Sequence, residues 1–159
     1  DRVAPQRAEV ILVTLKFGET DLLCYRAEAP EDLIERQSKS WQPWLDWAAR
    51  ALSAEMAVTT GIVPITQPAA AVSALGSALE ALGDYQLMGV SAATAAAGSL
   101  ILGLALGANA LAPGEAAALA LIDDLYQAER WGGDAEAERN RRRVRSEIDD
   151  AARFMELCR

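Results

Sequence analysis

The sequence predicts an all-α protein: an orthogonal or irregular bundle of about six to seven helices, with at most a short extended segment. Three observations lead there. Leu33, Gln37, Trp41, Trp44, Ala48 and Leu52 recur at spacings of three and four, which marks one apolar face of a helix. Between Asp84 and Glu115 the chain carries no charge and is rich in Ala and Leu, as a buried helical centre requires. Helix boundaries are also marked, by Pro30 ahead of Glu31 and Asp32 and by Gly132-Gly133 ahead of Asp134.

The elements can be taken in chain order. Arg7 to Lys16 holds Val10, Ile11, Val13 and Leu15 and reads as a helix closing near Gly18. Asp21 to Ala27 is short, apolar and expected to be extended. Pro30 opens the next helix, with Glu31 and Asp32 complementing the exposed N–H groups of its first turn. Pro43 costs about 3 kcal/mol inside a helix, so one helix is expected to end by Gln42 and another to start at Pro43. Glu55 to Ile65 leads into IVPITQP and reads as a loop with at most a short edge strand. Helices are then expected over Pro68 to Leu82, Asp84 to about Ala97, and Gly98 to Leu111, the last either separate or a continuation bent at Gly98. A further helix runs from Pro113 to Trp131, and a last one, capped by Asp134, reaches Leu157 with Val144, Ile148, Ala151, Met155 and Cys158 as its stripe.

Composition excludes several function classes. A chain of 159 residues is expected to form one domain over 1–159 with a real core. A formal charge of −8 and a pI near 4.6 lack the basic footprint that nucleic acid demands, and point to a basic or mixed protein partner. Histidine is absent, which removes the usual general base, the commonest metal ligand and every His-dependent nucleophile. Cys24 and Cys158 stand at opposite ends without C-x-x-C spacing and read as reduced thiols, each a small buried apolar group rather than half of a bridge. Asp1 is followed at once by mixed polar residues, so no signal peptide is expected. The strongly apolar run Leu100 to Ala112 is well short of the roughly 20 residues that span a bilayer, and its flanks are acidic.

Each chemical motif has a plain structural alternative. Gly103 and Gly107 form a G-x-x-x-G pair that serves close helix packing. The run Arg139, Arg141, Arg142, Arg143 and Arg145 precedes Glu147, Asp149 and Asp150, which predicts a solvated face with Arg143–Glu147 and Arg145–Asp149 pairs. Asp123, Asp124, Glu129 and Asp134 could be metal ligands, but their spacing matches neither an EF-hand nor a Glu-x-x-His pair. No catalytic residue, metal or cofactor is therefore expected. Trp41 and Trp44 fall on the apolar stripe, whereas Trp47 falls off it and is a candidate surface contact. Asp123, Gln127 and Arg130 share one helical edge, Leu121, Leu125 and Ala128 form the buried one, and Trp131 ends the helix.

Two stretches, DLLCYRAEAPEDLIERQSKSWQPWLDWA (21–48) and DDLYQAERWGGDAEAE (123–138), go beyond such patterns. With the TTGI turn at Thr59 to Ile62 they resemble the assembly chaperones of the F-type ATP synthase catalytic sector that act on the alpha subunit. The resemblance implies a chaperone without turnover that binds the unassembled alpha subunit and shields its beta-facing surface. A monomer in the bacterial cytoplasm or the mitochondrial matrix is expected, and the acidic charge and short apolar run argue against nucleic acid and stable membrane insertion. Family members also carry a small β-rich N-terminal domain, and the chain corresponds to their helical C-terminal domain. By resemblance, Asp124 and Glu129 are the foremost partner-binding residues, with Asp123, Gln127, Trp131 and Trp47 beside them. After Gly132 the chain reads GDAEAE, which favours a bacterial member. An enzyme built on the acidic cluster and a membrane-associated helical protein are the alternatives.

Overall fold

The computed structural model describes residues 3–159; Asp1, on which the expectation of no signal peptide rests, lies outside the described residues. The architecture is the expected helical bundle, with eight α-helices among the described residues and one tiny sheet. They are α1 (Val3–Glu19), α2 (Glu31–Leu52), α3 (Ala69–Glu80), α4 (Asp84–Ala97), α5 (Leu100–Gly107), α6 (Pro113–Ala120), α7 (Ile122–Trp131) and α8 (Ala135–Leu157). β1 (Tyr25–Arg26) and β2 (Thr59–Thr60) pair in parallel, Tyr25 opposite Thr59 and Arg26 opposite Thr60.

The short apolar α5 is the axis of the core. Leu100 to Leu106 are all buried, so no side of the helix needs polar residues. Helices α1, α2, α4, α6 and α8 all pack on it. Its junction with α4 is unusually close. A Cβ on Gly103 would overlap Thr94 Oγ1 and lie 3.1 Å from the Val90 carbonyl oxygen, and one on Gly107 would lie 2.7 Å from Val90 Cγ2. The G-x-x-x-G pair therefore lets two helix backbones meet inside the protein, as expected. Gly98 makes the turn between them at φ +71°, a left-handed conformation that L-residues with a Cβ rarely adopt.

Asp21 ties the α1–α2 connection to the start of α5. The carboxylate accepts hydrogen bonds from the Ser99 hydroxyl (2.7 Å), the Ile101 N–H (3.0 Å) and the Leu23 N–H (3.1 Å). Ser99 in turn caps the helix by accepting from the Leu102 N–H at 3.1 Å. Full burial nevertheless pushes the Asp21 carboxyl up from 3.8 to about 6, against those hydrogen bonds. The folded protein therefore holds this proton more tightly than the unfolded chain. Its contribution to stability, about 3 kcal/mol, is complete below about pH 4 and is lost as pH rises through about 6. Asp21→Asn removes that titration. In urea denaturation the wild type should gain on the variant as pH falls from 7 to 4, and a pH-independent gap would contradict the assignment.

Four expectations need correction. Pro43 does not divide the second helix: α2 runs unbroken for 22 residues through it. Pro43 and Lys39 are both exposed, so the ring projects outward and the Lys39 carbonyl that loses its donor meets water. Burial of Trp41 and Leu45 on the opposite face holds the rod together. Asp21 to Ala27 is not simply extended, because the Asp21 cap winds Leu22–Cys24 into a 3-10 turn ahead of β1. The third expected central helix is shorter, ending at Gly107 ahead of Asn109, which sits at φ 58°. The expected helix from Pro113 to Trp131 bends at Leu121 (φ −103°, ψ 12°) into two, because α6 packs on α8 whereas α7 leans on α2.

Candidate partner-binding site

Helix α7 carries most of the candidate residues, and side-chain polar ties hold it in place. Ile122 and Tyr126, four apart, are its buried contacts. Of the buried edge expected at Leu121, Leu125 and Ala128, Leu121 is buried, whereas Leu125 and Ala128 are only half-buried, because the bend at Leu121 rotates α7 relative to α6. Tyr126 Oη donates to Asp32 Oδ1 at 2.8 Å, and the Arg130 guanidinium donates to Asp32 Oδ2. Both bonds hold the Asp32 carboxyl below the usual carboxylate range, that from Tyr126 being the larger cause. Two cations flank the Tyr126 ring, Arg130 at 5.0 Å and Arg36 at 5.3 Å from its centre.

The acidic candidates all have partners within the chain. Asp123 accepts from Gln37 Nε2 at 2.6 Å, while Gln37 Oε1 accepts from the Ala27 N–H at 2.8 Å. Glu129 pairs with Arg36 at 3.0 Å across two exposed side chains. Asp124 pairs with Arg141 of α8 at 2.9 Å; the Asp124 side chain is about one-third exposed and that of Arg141 nearly buried. Asp123 and Arg130 thus turn toward α2, and the polar edge they were expected to share with Gln127 is split. Gln127 is exposed and, among the described residues, makes no side-chain hydrogen bond. Trp131 stands 80% exposed where Gly132, at φ +81°, stops the helix.

Trp47 lies apart. It is half-buried on α2 with its ring edge-on to Trp44 at 6.0 Å, and by helical rise it is about 15 Å beyond Gln37, where α7 crosses. Asp134 caps α8 by accepting from the Ala137 N–H at 2.7 Å, a structural duty. Arg141 was expected on a solvated face and is buried instead, whereas Arg143 does pair with Glu147 at 3.2 Å. Asp149 pairs with Arg153 rather than Arg145. Cys158, expected to be buried on the apolar stripe of α8, is exposed, because α8 ends at Leu157 and Cys158 is its C-terminal cap; Cys24 is buried as expected. One signal could have found Arg141: it sits three residues before Val144 and so on the apolar stripe of α8. Asp32, Arg36 and Tyr126 carried no such signal, because their partners lie far away in sequence.

A family model described as ATP12 chaperone protein matches residues 1–49. Atp12 from Paracoccus denitrificans is 38% identical over all of this chain and 68% of its own, with a TM-score of 0.95. The chain belongs to the ATP12 chaperone family. An Asp-to-Lys variant of the same Paracoccus protein, here called Atp12p, gives the same values. A candidate chaperone from Agrobacterium tumefaciens is also 38% identical, covers 100% of this chain and 60% of its own, and superposes with a TM-score of 0.90. Both relatives thus share the whole bundle, and with ATP12 membership the chain is a chaperone by family. No helix among the described residues is long and apolar enough to cross a membrane.

Proposed function

We propose that the chain serves assembly of the F-type ATP synthase catalytic sector by binding the unassembled alpha subunit and shielding its beta-facing surface. An orphan subunit exposes an apolar interface that invites aggregation, and occupying it until the beta subunit competes would prevent that. The work needs binding and release, with no catalysis, metal or cofactor. In this reading the chain acts as a single-domain monomer in the bacterial cytoplasm, or in the mitochondrial matrix of a eukaryote.

Exposed Trp131 is the observation that carries the proposal. An uncovered indole at the end of a helix tied to its neighbours is the kind of rigid aromatic anchor that dominates protein interfaces. Gln127, one turn before it, lies beside it on α7; Glu129 faces the other way, toward Arg36 of α2, and Asp123 and Asp124 set the angle of the helix through their own partners. Trp47 is a secondary contact at a distance.

The test is light scattering by refolding alpha subunit in the presence of wild-type or variant chain. Trp131→Ala should change folding stability by no more than about 0.5 kcal/mol, as surface substitutions do. It should nonetheless weaken protection about tenfold or more, and Trp131→Ala with Glu129→Lys should weaken it further. Full protection by that double variant would remove α7 from the mechanism. Asp124→Lys differs because it sets a lysine against nearly buried Arg141, so a stability loss of about 2 kcal/mol should accompany any loss of binding.

A further inference from the structure

We propose that an apolar trough formed by α1, α4 and α8, separate from the α7 face, docks a basic amphipathic helix of a protein partner. The sequence of α1 is apolar all round over Val10–Val13, a pattern proper to a buried helix, yet Leu12 and Val13 are more than half and half exposed. Val13 opens onto a trough of about 410 Å³ that Val10, Leu87 and Met88 also line. A second, of about 440 Å³, is lined by Met88, Ala92 and Phe154. Met88 belongs to both, is 58% exposed, and joins them into one track. A flexible thioether in that position adapts to varied apolar surfaces. Tyr85 of α4 packs edge-on to Phe154 of α8 at 6.4 Å between ring centres, which fixes the Phe154 ring against α4. From Asp84 to Ala92 the α4 wall extends about 12 Å, enough for about two turns of an incoming helix.

Charge selects the occupant. Four carboxylates line the troughs: Asp84 is held by Arg7 at 2.9 Å and Glu147 by Arg143 at 3.2 Å, which leaves Glu9 and Asp150 without an ion pair among the described residues, while Arg7 is further engaged by the Glu80 and Leu82 carbonyls. A second copy of this chain, itself at −8, would bring the same carboxylates against them, and an anionic bilayer would be repelled. A helix with apolar residues at i, i+3, i+4 and i+7 and lysine or arginine on its flanks satisfies both the floor and the rim. Phe154 lies about 20 Å along α8 from Arg141, so this surface and the α7 face could be occupied together.

The test is independent of the alpha-subunit reading. Binding to the full chain is measured by fluorescence anisotropy with a Leu/Lys peptide of about four turns, apolar at i, i+3, i+4 and i+7, and with its Leu/Glu counterpart. The Leu/Lys peptide should bind and the Leu/Glu peptide should not. Val13→Gln with Met88→Gln should raise the Leu/Lys Kd about tenfold, and Glu9→Gln with Asp150→Asn should raise it severalfold. Glu115→Gln with Glu136→Gln, which removes equal charge away from the trough, should leave it unchanged. Equal binding of the two peptides, or unchanged binding by the Val13/Met88 variant, would overturn the proposal. So would self-association of the wild type that Met88→Gln abolishes, since a second copy would then be the occupant.

Discussion

Trp41→Ala should lower the unfolding free energy by about 3–5 kcal/mol, the largest loss expected from any single truncation in this chain. Trp41 is fully buried on α2 and is the largest side chain so placed. Its removal deletes the apolar contact area of the indole and leaves a cavity between rigid helices that can close only in part. A hydrogen bond goes with it, because Trp41 Nε1–H donates to the Leu119 carbonyl at 2.9 Å. The Arg26 guanidinium, 5.9 Å from the ring centre, also loses its aromatic neighbour. Trp41→Phe separates the contributions: it keeps most of the bulk while leaving the Leu119 carbonyl without its donor, and should cost less than Trp41→Ala. Urea midpoints at constant m-value decide the matter, and an unchanged midpoint for Trp41→Ala would mean that α2 does not seat this residue in the core.

Gly103→Ala should be the next most damaging, at about 2–3 kcal/mol, although it adds a single methyl group. The new carbon would overlap Thr94 Oγ1, with the Val90 carbonyl close behind, and backbone cannot step aside as a flexible side chain can. The Thr94 hydroxyl is buried and has no hydrogen-bond partner among the described residues, so Thr94→Ala alone should cost little. It should also make room for the methyl. The double variant should therefore be more stable than the sum of the two singles predicts, by about 1 kcal/mol. Strict additivity, or a Gly103→Ala protein with wild-type melting, would show that α4 and α5 are further apart.

The parts of the fold legible in the sequence were those fixed by local rules. The cap at Asp134, the glycine stop at Gly132, the start of α4 at Asp84 and the apolar centre at Leu100 to Leu106 each depend on a few neighbouring residues. Resemblance supplied the family. Long-range geometry stayed hidden. Nothing near Pro43 reveals that its ring would face water, and nothing near Leu121 records that α6 and α7 lean on different neighbours. The same holds for the candidate site. Exposure of Trp131 was not settled by its place in the motif, and the carboxylates of Asp123, Asp124 and Glu129 found partners on α2 and α8 that sequence distance concealed.

Those ties have a consequence for how α7 responds to its surroundings. Ile122 and Tyr126 are its buried side chains, and much of what else fastens it is Coulombic: Glu129 to Arg36 and Arg130 to Asp32, both exposed, and Asp124 to Arg141. Exposed pairs are screened by dissolved ions over about 10 Å at 0.1 M, whereas apolar burial is not weakened in that way. Ionic strength should therefore loosen α7 before it touches the α4–α5–α8 centre. Amide hydrogens of α7 would then exchange through a salt-sensitive local opening while those of α5 wait for global unfolding. The indole of Trp131 thus rides on an electrolyte-tuned lever, with its reach set by the solution as well as by the chain.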